Sequence, residues 1–541
     1  MVDDGSSLLE VLRDQLGVCS VKDGCSPQGQ CGCCTVWVDG APRVACVTPV
    51  RRLSGRQVTT LEGLPADRRA RWADALVSTG GSQCGFCTPG IVMRLDALAT
   101  GADRRSPTAG PAGSHPAVSD DTVDQALLAH LCRCTGWQTI EEAARRVLRE
   151  SPVTGVSRSS GRDLGAASQR AGIEGGADQR VGSEVVLGRA GFADDTCPPG
   201  ALAAVPDGRG GYAVAPTVRE ARVAAGKVQG RSTSLALTHP VPVPTGRWAL
   251  ALKTTWVEPA YVEPDASWCE PGGEPASPCG NGGAFGGKRH SPVGADARRL
   301  AELYGVPVRV VWSREDVVRL GPKRPPVGGG IDAGGSGVLR VGISSTVTDG
   351  EWAAAVASVA AVAPGLELEP VPVVGPPTSL DLRAAVWAEA AVLAACSRTV
   401  GTGPTGPVPG VPVEVTAPGG GRAVARCLPD DAIEVVVDAG AVLDEVVLRS
   451  YCIGAAHQAL GWVRSEGIAV DAEGTVHDLT MRSFGILQAR AMPPVSVTVV
   501  PGDGPPVNGS DAVFAAVAGA RWLADGAVPA WPTDRAGAGR R

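Results

Sequence analysis

Cysteine is the residue type whose placement points to chemistry. Ten of the 16 cysteines lie before Thr135. The first set, in GCSPQGQCGCCTVWVDGAPRVAC, offers Cys25, Cys31 and Cys34 in a glycine-rich loop and Cys46 further on. The second is Gln83-Cys84-Gly85-Phe86-Cys87-Thr88-Pro89-Gly90, joined by Leu131-Cys132-Arg133-Cys134-Thr135-Gly136. In a reducing compartment such clustering favours metal ligation over disulfides. Thiolates in fours suit a tetrahedral zinc or an iron–sulfur cluster, and the second set taken alone leaves both open. A different chemistry is offered by Gly282-Gly283-Ala284-Phe285-Gly286-Gly287-Lys288. Missing side chains there bring backbone donors close to an anionic or heteroaromatic group. The spacing imitates a phosphate-binding loop, but Arg289 stands where a Ser or Thr would hold magnesium. A chance glycine patch is the competing reading in a chain with 72 glycines.

The first cysteines need a loop held by a helix and a hairpin. Leu8, Leu9, Leu12 and Leu16 have helical spacing, and the alternating residues from Thr35 to Val38, turned by Asp39-Gly40, predict a hairpin whose return strand carries Cys46. For the second set, four short helices would frame paired turns. One covers 66–79, one follows Pro89 with Ile91, Leu95 and Leu98 on a face, and one carries Val123, Leu127 and Leu131 behind Asp120 and Asp121 as caps. The last is opened by a Thr139/Glu142 capping box and runs through Leu148. The stretch 100–121 reads as a disordered loop, and 151–184, without apolar periodicity, as a flexible linker. Beyond it the pattern predicts a helix over 296–304 and a strand over 306–312. The stretches 353–377 and 401–421 read as space-filling.

A chain of 541 residues accommodates three or so domains. A net charge of −6 carries no basic excess for nucleic acid, so small, roughly neutral substrates or protein partners are expected. The acidic start lacks the marks of a signal peptide, and the longest apolar run, 353–364, is too short for a bilayer, so the expected location is cytoplasmic with no membrane partner.

The spacing C-x5-C-x2-C…C is one residue longer in its first gap than the plant-type ferredoxin run. CGFCTPG followed by LCRCTG, downstream of GxCGxCTV, resembles over 6–150 the two-domain iron–sulfur module of the xanthine dehydrogenase and aldehyde oxidase family of molybdenum hydroxylases. Tyr261-Val262-Glu263-Pro264-Asp265-Ala266, GGAFGGK, the Ser313-Arg314-Glu315-Asp316 turn and Gly454-Ala455-Ala456-His457-Gln458-Ala459-Leu460-Gly461 resemble its molybdopterin-binding subunit over about 185–530. The resemblance implies an α+β multidomain chain. Its parts are a β-grasp [2Fe-2S] ferredoxin-like domain (1–62), a four-helix [2Fe-2S] domain (63–150), the linker (151–184) and a shortened mixed α/β molybdopterin-binding domain (185–541). It also implies eight ligands, Cys25, Cys31, Cys34 and Cys46 for one cluster and Cys84, Cys87, Cys132 and Cys134 for the other. Gly282, Gly283, Phe285, Gly286, Gly287 and Gln458 would contact molybdopterin, with Gln83 and Cys134 on the pterin side. Cys33 stands where the family usually has alanine and Cys19 has no counterpart; both read as small buried residues. The implied function is molybdopterin-dependent hydroxylation of a small heterocycle or aldehyde. Electrons would leave through the helical cluster, then the β-grasp cluster, to a flavin on a separate subunit. The alternative is a non-catalytic electron-transfer subunit.

The chain departs from the family in several places. It starts at the SLLEVLR helix, without the hairpin of about twenty residues that opens the family's β-grasp domain. The family's base is a glutamate in a GE-P-P segment; in Pro501-Gly502-Asp503-Gly504-Pro505-Pro506 its place falls on Gly504, leaving Asp503 as the catalytic candidate. Only 15 residues separate Ala266 from Gly282, and no match to the family's arginine–glycine loop is identified. Arg289 follows the motif lysine where purine-oxidising members often have glutamate, which argues against a purine. His457 reads as a packing residue.

Overall fold

The structure is a computed structural model that describes residues 5–100, 118–149, 161–227, 232–277, 283–400 and 406–534. Its first element is the helix Leu8–Glu10, closed by a reciprocal Ser7/Glu10 capping box and continued as a π-turn over Val11–Gln15. Leu8, Leu9 and Leu12 are buried, but Leu16 is 65% exposed. The wider turn, closed by Leu16 N–H donating to Val11 O at 3.1 Å, carries Leu16 off the apolar face predicted for it.

The hairpin pairs Thr35–Val38 with Ala41–Val44 through Asp39 (φ 51°) and Gly40 (φ 76°), the doubly left-handed turn that matches strand twist. Val58–Thr59 adds a third strand on the other side of Thr35–Val38. Cys46 lies just past the return strand, in the 3-10 turn Ala45–Val47.

The four expected helices are Ala66–Thr79, Thr88–Ala99, Asp120–Leu127 and Gln138–Arg149. Two caps differ from expectation. Ser119, not Asp120 or Asp121, accepts from the Thr122 N–H. Thr139 is buried inside the last helix with its hydroxyl unpartnered among the described residues, because the helix already starts at Gln138, whose side chain exchanges two hydrogen bonds with the Val495 backbone (2.9 and 3.0 Å). Most of the expected 100–121 loop lies outside the described residues.

The expected flexible linker requires correction. Residues 151–160 lie outside the described ones, but Leu164–Gly175 is a helix, capped by Asp163 and ended by left-handed Gly176. Its buried face carries an ion pair, Arg170 with Glu174 at 3.0 Å, in place of an apolar stripe, so hydrophobic periodicity gives no sign of it.

The second half is built on three four-stranded sheets. One runs Tyr212–Ala215, Leu202–Pro206, Val308–Val311, Ala266–Cys269, the next Leu366–Pro372, Gly337–Ile343, Val327–Ile331, Leu250–Lys253. The third is Val413–Thr416, Arg422–Cys427, Ile433–Asp438, Val495–Val500, covered by the helices Glu445–Arg464 and Ser510–Ala524. The stretch expected as filler supplies the helix Asp349–Val362 and an edge strand. Among the described residues no helix is long and apolar enough to cross a membrane.

Candidate metal centres and the adjoining glycine loop

The predicted ligand cysteines assemble as two separate buried sets. In the first, Cys25 reaches the sulfurs of both Cys31 and Cys46, and Cys46 reaches that of Cys34. The Gln28 N–H also points at the Cys25 sulfur, at 3.2 Å. In the second, Cys84 and Cys134 lie 3.6 Å apart, and Cys87 pairs with Cys132. The Cys87 contact, with Thr135 assisting, draws the Cys132 thiol down against its burial and pushes the Cys87 thiol up, so the two sulfurs share one proton between them.

Pairing distinguishes the two metal chemistries. Four thiolates on one zinc sit about 3.8 Å from each other in every combination. Among the described residues, the one group of three ligand atoms mutually within 4.8 Å is His290, Glu351 and Asp381, so no three thiols of either set meet that condition. In the second set, two close pairs held further apart suit two irons with two thiolates each, the donor set of a [2Fe-2S] rhomb; in the first, Cys25 and Cys46 link the four thiols in a chain.

The sets adjoin. Leu131 N–H donates to the Cys31 carbonyl at 3.0 Å, and the His130 ring covers Gly32. On its far side the second set meets the second half. A Cβ on Gly454 would stand 1.8 Å from the Cys134 carbonyl oxygen, so only glycine lets the Glu445–Arg464 helix seat there. Gln458 donates to the Arg133 carbonyl (2.9 Å), and Gln83 donates to the Ser450 hydroxyl (3.0 Å). Arg133, between the two ligand cysteines, is gripped by both carboxylate oxygens of Glu466, one at 2.7 Å.

The glycine loop packs on the same turn. Gly282 lies outside the described residues; a Cβ on Gly283 would meet Arg133 at 2.8 Å and the Cys134 sulfur at 3.3 Å. Gly286 approaches the Asp381 carbonyl and Gly287 the Tyr261 ring. Buried Lys288 is anchored by Glu263 of the YVEPDA segment at 2.6 Å, and burial raises that carboxyl to about 7. Phe285 (φ 40°) meets the Tyr451 ring edge-on at 6.2 Å. Sequence reasoning missed Arg383. Its guanidinium lies 4.3 Å from the Phe285 ring centroid, and it donates to Gln458 (3.3 Å) and Asp511 (2.9 Å). Alanines follow it where a glycine was sought; the segment before the Trp387–Val400 helix was the available signal.

Phe285, Arg383, Gln458 and Arg133 line a hollow of about 410 Å³, counting its part open to solvent. Phe285, Leu382 and Arg383 separate it from a second of about 750 Å³. The buried Tyr451 hydroxyl and Gln83 Oε1, beside this wall and the second thiol set, have no hydrogen-bond partner among the described residues. Such orphaned groups fit a polar organic cofactor over Cys134. Asp503 is not brought here. It is exposed after the Val495–Val500 strand and, like Gly504, lines neither hollow. Ala441 N–H donating to Gly504 O (2.8 Å) ties that loop to the end of the Ile433–Asp438 strand instead.

Residues 60–145 match the family model described as [2Fe-2S] binding domain. The chain is 34% identical over 154 residues to a probable xanthine dehydrogenase component of Bacillus subtilis, covering 28% of this chain and 80% of that protein. It is 32% identical over 146 residues to the nicotinate dehydrogenase small FeS subunit of Eubacterium barkeri, covering 27% and 84%. Against xanthine dehydrogenase of Drosophila subobscura the identity is 37% over 160 residues, only 11% of that longer protein. The aldehyde oxidoreductase structure from Desulfovibrio gigas superposes with a TM-score of 0.70 at 13% identity, over 99% of this chain and 98% of that one; the likeness is one of fold.

Proposed function

Because this chain belongs to the xanthine dehydrogenase/aldehyde oxidase family, we propose that it is a molybdopterin-dependent oxidoreductase relaying single electrons through two [2Fe-2S] clusters. Cys84, Cys87, Cys132 and Cys134 hold the cluster nearer the cofactor, and Cys25, Cys31, Cys34 and Cys46 the outer one. The observation that carries this reading is the continuous contact from Gly283 to the Cys134 sulfur and from Leu131 to Cys31, which leaves no gap along the relay.

Molybdopterin, when bound, supplies the metal-centred hydroxylation and accepts the electron pair. The chain's own residues would hold it. Gly283, Gly286 and Gly287 give close backbone approach, Gln458, Gln83 and the Tyr451 hydroxyl give polar contacts, and Arg383, over Phe285, gives a fixed positive charge. The substrate is a small heterocycle or aldehyde, and electrons leave for a flavin on a separate subunit.

One observation favours the second reading, a relay without turnover. The carboxylates lining the first hollow are both engaged, Glu258 with Lys323 (2.9 Å) and Glu466 with Arg133, and Asp503 lies elsewhere.

Metal analysis with electron paramagnetic resonance of the dithionite-reduced chain separates the readings. About four irons per chain, two distinct signals, and molybdenum with pterin are expected for the enzyme. The same iron without molybdenum selects the relay, and zinc in place of iron defeats both.

A further inference from the structure

Three metal-ligating side chains that belong to neither thiol set converge beside the second hollow. His290, Glu351 and Asp381 each offer one ligand atom, and these atoms lie within 4.8 Å of one another. The His290 Nε2 stands 2.9 Å from Asp381 Oδ2. Atoms bound to one cation at about 2.1 Å stand roughly 3 Å apart when adjacent and about 4.2 Å when opposite, so the trio is within small side-chain rotations of sharing one. Its members come from separate segments: His290 follows the glycine loop, Glu351 lies in the first turn of the Asp349–Val362 helix, and Asp381 precedes Arg383. Ser379 holds both acidic residues in place. Its hydroxyl donates to Glu351 Oε1 (3.2 Å) and accepts from the Asp381 N–H (3.1 Å), while Glu351 Oε2 accepts from the Thr348 N–H (2.9 Å). A carboxylate oxygen so engaged keeps a lone pair for a metal. Among the described residues Glu351 pairs with no cation, and the guanidinium beside Asp381, that of Arg289 at 3.4 Å, belongs to a side chain 52% exposed. The hollow that both carboxylates line leaves room for the waters that complete a coordination shell.

We propose that His290, Glu351 and Asp381 bind one divalent first-row cation of the class of Mn2+, at a centre outside the thiol sets. One imidazole and two carboxylates, without a thiolate, make a donor set for Mn2+, Fe2+ or Zn2+ and not for a soft ion. Arg289 turns out to solvent when the cation enters. The consequence is mechanical. The Arg383 N–H donates to the Phe285 carbonyl (2.9 Å) and Gly286 lies against the Asp381 carbonyl, so the glycine loop and the Arg383 segment already run together. A cation joining His290 to Asp381 and Glu351 clamps both to the Asp349–Val362 helix and so fixes the wall between the two hollows. A bare surface His–Asp pair does not do this. His477 and Asp471 form one (2.7 Å) that, among the described residues, has no third ligand. The inference goes beyond the preceding reading and does not need iron in the thiol sets.

The test is a titration of the oxidised full chain with Mn2+, in which the electron paramagnetic resonance of the aqueous ion measures what stays unbound. Mn2+ prefers oxygen donors to thiolate, so the cysteines do not compete. The wild type should take up one Mn2+ saturably. His290→Ala and Asp381→Asn should each weaken that uptake at least about tenfold. His477→Ala should leave it unchanged, and Arg289→Ala, which removes the competing charge, should tighten it. A nitrogen coupling to the bound Mn2+ should be present in the wild type and absent from His290→Ala. The proposal is overturned by any of four results: no saturable uptake at submillimolar Mn2+, a His290→Ala isotherm identical to the wild type, equal weakening in His477→Ala, or an Arg289→Ala variant that binds no tighter.

Discussion

His457 sits beside the cofactor candidate Gln458 and is fully buried, with Nε2 at 3.0 Å from the Leu487 carbonyl. Burial, with the Arg133 charge adding to it, lowers its pKa to about 4. The unfolded chain therefore takes up this proton first, near pH 6.5. The stability contributed by neutral His457 is present above that pH and is lost as pH falls toward about 4. Urea unfolding at pH 7 and pH 5 should show His457→Gln losing about 2 kcal/mol less than the wild type over that interval. Equal losses would mean that the imidazole is reached by water in the folded state. The reading of His457 as a packing residue agrees with its burial, and the same inward face carries Gly454 and Gln458 onto the Cys134 turn.

The helix Leu164–Gly175 shows how an element can escape sequence inspection. Its Arg170 guanidinium donates to the carbonyls of Val442 (3.0 Å) and Val507 (2.8 Å), and Glu174 accepts from the backbone N–H groups of Gly509 (3.1 Å) and Ser510 (2.9 Å). This ties the segment to the start of the Ser510–Ala524 helix. Replacing one member of so buried a pair strands the other charge, so Glu174→Ala should cost about 3–5 kcal/mol in urea unfolding, far above a surface charge deletion. A cost below about 1 kcal/mol would show that water reaches Arg170. Elements whose order is written in apolar spacing were legible: the helix Ala66–Thr79 and the hairpin at Asp39-Gly40 stand where the pattern puts them. What the pattern does not carry is polar anchoring. Thr139 looked like a cap because its spacing to Glu142 fits one, yet Gln138's bonds to Val495 begin the helix a residue earlier. The grouping of the thiols into two sets was legible because thiol spacing is itself the signal. Arg383 was not, because its place over Phe285 is made by residues nearly a hundred positions apart.

The two halves of the molecule share one interior. The apolar core around the thiol sets continues into Trp256, Val262, Ile468 and Phe484 of the second half. Polar ties cross the same boundary: Arg133 with Glu466, Arg449 with Glu142 (2.6 Å), Arg13 with Asp194 (2.7 Å), and Arg314 donating to the Gly24 carbonyl (2.8 Å). Gly80 and Gly454 let the Glu445–Arg464 helix sit against the turns that carry Cys84 and Cys134. An arrangement of this kind cannot lose its cysteine turns without opening the core of the other half. Iron bound by the folded thiol sets and not by the unfolded chain stabilises the native state by mass action, and the shared core passes that gain to every sheet. The expected result is a single thermal transition, in which bleaching of the cluster absorbance and loss of far-ultraviolet dichroism coincide. After chelation of the iron, the whole dichroism change should move to lower temperature. If most of the dichroism instead melts where it did before, the second half folds independently and the contacts at Gly454 and Arg133 are a docked surface between separable domains.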